Sequence, residues 1–232
     1  MAGHLPDMVD NGSDYWRRLM DVVSFEAYEK TAPTKILHPE LLPVLSAFAA
    51  HTLKREDRLA GQFFFPDKKP DAALTSVLPT IALQLGVRHG RIRQMIIDTL
   101  RDAPELIADD HSFMDHIYPF FIRPLRRLKE KQETARGALK TNTYVFAGIQ
   151  ERGASPPEFA NVLRLLESLA DCLSHYDDLP NTHIFLATDL ADHTRDEVFT
   201  ALQETFTVTY THAFDVNSTS HLQLACFHVR HR

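Results

Sequence analysis

Apolar positions along the chain switch between two spacings, and the switches mark its elements. From Tyr15 to about Lys30 they recur at helical intervals (Trp16, Leu19, Met20, Val23), behind Ser13 and Asp14 as capping residues. Thr31-Ala-Pro-Thr34 breaks that helix. A second helix is predicted from about Glu40 to Lys54, with Pro43 in the first turn, where proline is tolerated. Residues 59–65 (LAGQFFF) are a nearly continuous apolar run closed by Pro66-Asp67, the pattern of a strand buried on both faces. Helical spacing then returns in three stretches. The first holds Leu74, Val77, Leu78, Ile81 and Leu85 and ends near Gly86. The second holds Ile92, Met95, Ile96 and Leu100 and stops before Pro104. The third begins near Asp110 and should be kinked or divided by Pro119 and Pro124.

The C-terminal half alternates. Thr143 to Ile149 reads as a strand, Pro156 to His175 as an amphipathic helix, and Thr182 to Thr188 as a strand. Arg195 to Glu204 reads as a helix and Phe206 to His212 as a strand. Such alternation specifies an α/β fold: an open, mainly parallel sheet with flanking helices, here behind an N-terminal helical lead. The expected division is 1–40, a tail and helix, and 41–232, the α/β domain.

Composition narrows the function classes. With 232 residues and 44% hydrophobic positions the chain can bury one sizeable core. A net charge of -6 argues against a nucleic-acid-binding face. The basic cluster Arg123, Arg126, Arg127, Lys129 and Lys131 reads as the solvated C-terminal end of a helix. Cys172 and Cys226 lie far apart without metal-like spacing and read as reduced thiols. The first residues lack a secretory apolar core, and no apolar run approaches the roughly 18–20 residues of a membrane span. A cytoplasmic protein is expected.

Four segments, in order, carry a resemblance. They are Leu59-Ala-Gly-Gln-Phe-Phe-Phe65, Pro79-Thr-Ile-Ala-Leu-Gln-Leu85, Phe121-Ile-Arg-Pro-Leu125 and His183-Ile-Phe-Leu-Ala-Thr188. Over about residues 41–215 the chain resembles the NACHT-type P-loop NTPases of fungal signalling proteins, close to the nephrocystin-like N-terminal type. The four segments are similar to that family's Phe-rich strand, its P-T-I-A-x-Q-L helix, the segment before Walker B, and the strand ending in Thr-Ser-Arg. The resemblance implies a P-loop NTPase sheet whose central first strand must come from upstream. Lys35-Ile-Leu37 is the only candidate, and without it the sheet core would have a gap.

The phosphate-facing positions depart from the family. A G-x-x-x-x-G-K-[ST] loop cradles phosphates with backbone N–H groups, a lysine and a hydroxyl on magnesium. Residues 35–43, where it should lie, have no glycine, and Pro39 and Pro43 remove amide donors. Lys35 is the one phosphate candidate left. Aligning residues 146–151 with Walker B puts Ala147 at the magnesium aspartate and Gln150 at the next acid, and only Glu151 survives. Thr188 persists at the sensor segment, but Asp189 and Leu190 replace the serine and arginine, and an aspartate there repels a triphosphate.

Other constellations are weaker. His111 and His116 are five apart, unlike the four-residue spacing of zinc helices, and His228 and His231 sit at a terminus expected to fray. Ser155 and Ser168 lack a nucleophile elbow, Cys172 falls within an amphipathic helix, and Asp177-Asp178 reads as a turn before Pro180. The expectation is therefore a non-catalytic NACHT-like module acting through protein–protein contacts in signalling, or a remnant of such a protein. Protein partners are expected, related NACHT proteins among them, with no nucleic acid, membrane, metal or cofactor. The alternative is a nucleotide-binding NTPase that holds Mg-ATP or Mg-GTP through an atypical loop. A further alternative is a ligand pocket at the C-terminal strand ends, near Phe65, Glu151 and Thr188, where open α/β sheets bind ligands.

Overall fold

A computed structural model describes residues 49–65, 73–108, 112–134, 141–150, 156–189, 200, 206–217 and 220–229. The two helices expected before Ala49 lie outside these residues, except that 49–55 are helical, as the end of the second requires. So do Lys35 and the upstream strand it was to start. Of the helix expected at Arg195–Glu204 only Thr200 is described, and it is helical.

The first strand, β1 (Leu59–Phe64), pairs in parallel with β2 (Asn142–Gln150), which pairs in parallel with β3 (Thr182–Asp189). The helix α1 (Leu74–Arg88), the helix α2 (Gly90–Asp102) and a helical rod from Phe113 to Thr134 connect β1 to β2. The helix α5 (Pro156–His175) connects β2 to β3. This is the expected α/β fold: an open sheet with three adjacent parallel strands and flanking helices.

The C-terminal part departs from the expected pairing. The strand β4 (Phe206–Asn217) runs in the same direction as β1–β3 but is not their neighbour. A fifth strand, β5 (Ser220–Val229), runs antiparallel between β3 and β4, giving the order β1-β2-β3-β5-β4. His228, expected at a fraying terminus, sits in β5, in register with His183 and Thr207. The turn residues Asn217-Ser-Thr-Ser220 between two β-rich runs are a hairpin signal. Interior pairing on both sides holds the last strand in place.

Side chains on β2 alternate between two layers, as the pleat requires. Tyr144 and Phe146 join Ile184 and Leu186 of β3 in the main core beneath α1, α5 and the rod. Val145 faces the other way and packs with Leu59, Phe185, Ala50 and Leu53, so helix 49–55 covers the second face. Gly61 lets the layers close. A Cβ there would stand 3.2 Å from the Tyr144 ring and 3.3 Å from Ile81.

The rod is three helical pieces end to end. Ser112 caps α3 (Phe113–His116) through a reciprocal box with Asp115, a π-helical turn spans Ile117–Ile122, and α4 (Arg123–Thr134) follows. Pro119 has no N–H to give and its ring crowds the preceding turn, and the wide π turn absorbs both without breaking the rod. The expected division at Pro119 is thus a change of helical pitch.

Helix α1 is buried almost all round, from Val77 to Gly86, because β1, α2, the rod and α5 surround it. Gln84 and Thr80 are its buried polar residues. Gln84 meets the strand. Its side-chain amide accepts from the Gln62 N–H at 2.8 Å and donates to the Gln62 carbonyl at 2.9 Å, as a neighbouring strand would. Arg88, one turn on, donates to the Leu59 carbonyl. Two residues of the P-T-I-A-x-Q-L segment thereby gain a structural reason: Gln84 completes the edge of β1, and Thr80 ties its hydroxyl to the Ser76 carbonyl at 2.6 Å. Removing the amide strands a half-buried N–H and C=O. Gln84→Ala should cost about 2–4 kcal/mol in denaturant unfolding. Tyr144 should behave oppositely. Its hydroxyl is buried with no hydrogen-bond partner among the described residues, and burial pushes its pKa well above the ordinary phenol value. Tyr144→Phe should leave stability unchanged or raise it by about 1 kcal/mol in the same assay.

Candidate functional site

Ligands of open α/β sheets settle at the C-terminal ends of parallel strands. In this chain those ends are Phe65 after β1, Ala147 to Gln150 on β2, and Thr188 with Asp189 on β3. The chain folds tightly there. The Phe65 N–H donates to the Ala147 carbonyl at 2.7 Å. Gly148 then takes φ 77°, and a Cβ on it would fall 2.5 Å from the Phe65 carbonyl oxygen. Only glycine fits that close approach. The resulting bulge shifts register, so that Ile149 lies opposite Thr188 and Gln150 opposite Asp189.

Apolar groups dominate the shelf. Phe65 and Ile149 are buried, Phe63 meets Phe65 edge to face at 5.0 Å, and Ala147 is 0% exposed. At the position where the resemblance calls for the magnesium aspartate stands the buried methyl group of Ala147. A methyl group offers no oxygen ligand to a magnesium ion. Thr188 is buried, and its hydroxyl has no partner among the described residues. It is the one polar side chain among the candidates that the structure places at the shelf. Glu151, Lys35 and Leu190 lie outside the described residues. Gln150 and Asp189 meet in backbone register.

The basic cluster on α4 is individually engaged. Arg123 donates to the Thr99 hydroxyl at 2.8 Å, and Arg127 pairs with Glu130. Arg126 pairs with Asp178 at 2.5 Å and stacks over Tyr176 at 4.6 Å. Donation to the Asp178 carboxylate raises the Arg126 pKa, an effect of an exposed surface pair. Lys129 donates to the Asp177 carbonyl at 2.8 Å, so the turn after α5 is docked onto the rod by both aspartates. Lys131 meets His89 Nδ1 at 3.0 Å, and desolvation followed by Lys131 lowers the His89 pKa. Between α2 and α4 these contacts leave a groove of about 540 Å³ walled by Arg91, Arg123, Arg126 and Arg127. Sequence reading found the α4 arginines but not the groove, because Arg91 joins them only through the packing of α2 on α4.

The remaining candidates do not assemble into a site. His116 is buried, with Nε2 at 2.7 Å from the Leu106 carbonyl, and His111 and Ser155 lie outside the described residues. Ser168 donates to the Arg164 carbonyl at 2.6 Å, within its own helix. Cys172 is half-buried and desolvation, then Asp171, raises its thiol pKa, which disfavours the thiolate. Among the described residues no group of three His, Cys, Asp or Glu side chains could hold a metal, and no helix is long and apolar enough to cross a membrane.

Comparison of this chain with models of known families, with curated proteins and with solved structures finds no match.

Restoring the missing acid is not expected to restore a site. Ala147→Asp places a carboxylate at a fully buried position and should cost about 3–5 kcal/mol in chemical unfolding, with no gain in magnesium-dependent heat by calorimetry.

Proposed function

We propose that this chain is a non-catalytic module of NACHT-like build that acts through protein–protein contacts. The observation that carries the reading is Ala147: a fully buried methyl at the strand-end position where the resemblance requires the magnesium ligand. Gly148 presses the chain onto the Phe65 backbone, and Ile149 after it is buried. The order of segments supports the NACHT-like part. The Phe-rich strand, the P-T-I-A-x-Q-L helix and the two following strands fall on β1, α1, β2 and β3, and the motif's glutamine secures the edge of β1.

A second reading, a phosphate-bearing ligand at the same strand ends, draws on one observation, the unpartnered buried Thr188 hydroxyl. It lacks a described cation beside it.

One experiment separates the two. Purified chain is titrated with Mg-ATP, Mg-ADP and Mg-GTP at millimolar concentration, by calorimetry and thermal melting. A nucleotide at about 100 times its Kd would add about 2.7 kcal/mol to stability, a shift of several degrees. The expected outcome is no heat and no shift. A saturable, magnesium-dependent stabilisation that Thr188→Val abolishes would replace the module reading with the nucleotide-binding one.

A further inference from the structure

The groove between α2 and α4 has chemistry that the strand ends lack. Four guanidinium groups and two carboxylates, Asp98 and Glu130, line it, in a chain whose net charge is -6. The carboxylates are already engaged: Asp98 receives Arg101 at 2.7 Å and Gln94 at 3.1 Å, and Glu130 receives Arg127. Arg123 is held by a neutral hydroxyl, and Arg91 is exposed on α2. The groove thus keeps positive charge that its own acids do not cancel. Met95 adds an apolar stretch to the wall.

Beside the groove the rod exposes apolar surface. Tyr118 is 52% and Met114 49% exposed, four residues apart. The π turn sets this pattern: Ile117 and residues 120–122 turn inward while Tyr118 stays out. Arg126 links the two regions, since it lines the groove, stacks on Tyr176 and donates to the Tyr118 hydroxyl at 3.3 Å. Oriented arginine beside exposed tyrosine and methionine is the composition of a protein-binding hot spot. Pre-positioning of Arg126 by Asp178 and Tyr176 also lowers the ordering cost of engaging it.

We propose that this groove, with Tyr118 and Met114 beside it, docks an acidic, amphipathic segment of a partner protein. The inference rests on the protein-contact reading and names its surface. Carboxylates of the segment meet Arg91 and Arg123, and its apolar side chains cover Met95 and Tyr118. A compact polyphosphate fits less well, because Asp98 and Glu130 stand in the same walls and the apolar surface would go unused. Nucleic acid is disfavoured by those carboxylates and by the acidic balance of the chain.

The probe is a short fluorescein-labelled peptide in which pairs of glutamate alternate with leucine, titrated with the full chain and read by anisotropy. Its counterpart with glutamine for glutamate is the control. The expected result is saturable binding that weakens as salt rises past about 0.1 M, with the control peptide at least about tenfold weaker. Arg91→Glu should weaken binding about tenfold or more. Tyr118→Ala should weaken it several-fold, and both variants should melt like the unsubstituted chain, since both side chains are exposed. Absence of saturable binding, or an Arg91→Glu chain that binds as well as the unsubstituted one, would overturn the proposal. So would displacement of the peptide by triphosphate or a single-stranded oligonucleotide that binds more tightly and is indifferent to Tyr118→Ala. The nucleotide titration reads the strand ends and not this groove, so failure of either experiment leaves the other conclusion identifiable.

Discussion

An edge strand of a sheet must do something with its outward N–H and C=O groups, and in this chain the side chain of Gln84 does it. Among the described strands β1 is at the margin; the amide pairs with Gln62 as a strand would, and Arg88 takes the Leu59 carbonyl one turn further on. For the amide to reach, α1 must lie close along β1, and Gly61 is what permits that approach. Once α1 is fixed there, the space beneath it is set. Tyr144 fills it from β2 and stacks edge to face on Phe121 from the rod at 5.2 Å. The π turn then lets Pro119 pass without pulling Phe120 and Phe121 out of the core. A polar contact at the sheet margin thereby determines where the largest aromatic side chains pack.

Much of this was legible in the sequence, for reasons that differ by element. β1, β2 and β3 are short runs of apolar and β-branched residues with turn residues on both sides, and α5 has strict helical spacing. Those patterns record burial directly, so the strands and α5 fall within a few residues of where they were expected. Gln84 was legible only as part of a motif. A glutamine in an apolar helix has no sequence signature of its partner, since Gln62 is twenty-two residues away and the pairing depends on the helix-to-strand approach. The signal for β5 is weaker: the alternation of Leu222, Leu224 and Cys226 is set among His221, Gln223 and His228, which dilute a strand pattern. At the strand ends, the loss of the acid at Ala147 was plain from identity alone. The positive φ of Gly148 and its closeness to Phe65 arise from the bulge, which no local pattern announces.

β5 changes how the sheet is completed. A parallel sheet needs long crossovers, and an upstream strand was expected to fill its interior. Among the described strands there is no gap: β4 runs parallel in direction but stands one place away from β3, and the hairpin returns β5 into that place. A short turn supplies an interior strand more locally than a crossover can, at the cost of reversing its direction. Reversal matters for chemistry as well. An antiparallel strand presents its N-terminal end where its parallel neighbours present their C-terminal ends, so β5 does not add another C-terminal strand end to the shelf formed by β1, β2 and β3.

The two regions weighed as functional surfaces differ in what the fold has already committed. At the strand ends the described contacts are made by the backbone itself: the Phe65–Ala147 hydrogen bond and the Gly148 bulge beside the buried Ile149. On the helical face, α2 and α4 meet through long arginine side chains, and these can exchange an internal hydroxyl or carboxylate for one from outside at little cost. Arg123 on Thr99 is such a contact, since a neutral acceptor holds a guanidinium more weakly than a carboxylate does. Binding capacity therefore belongs with the contacts that can be exchanged, and on the proposed reading that places the working surface of this chain on its helices and its structural tension at its strand ends.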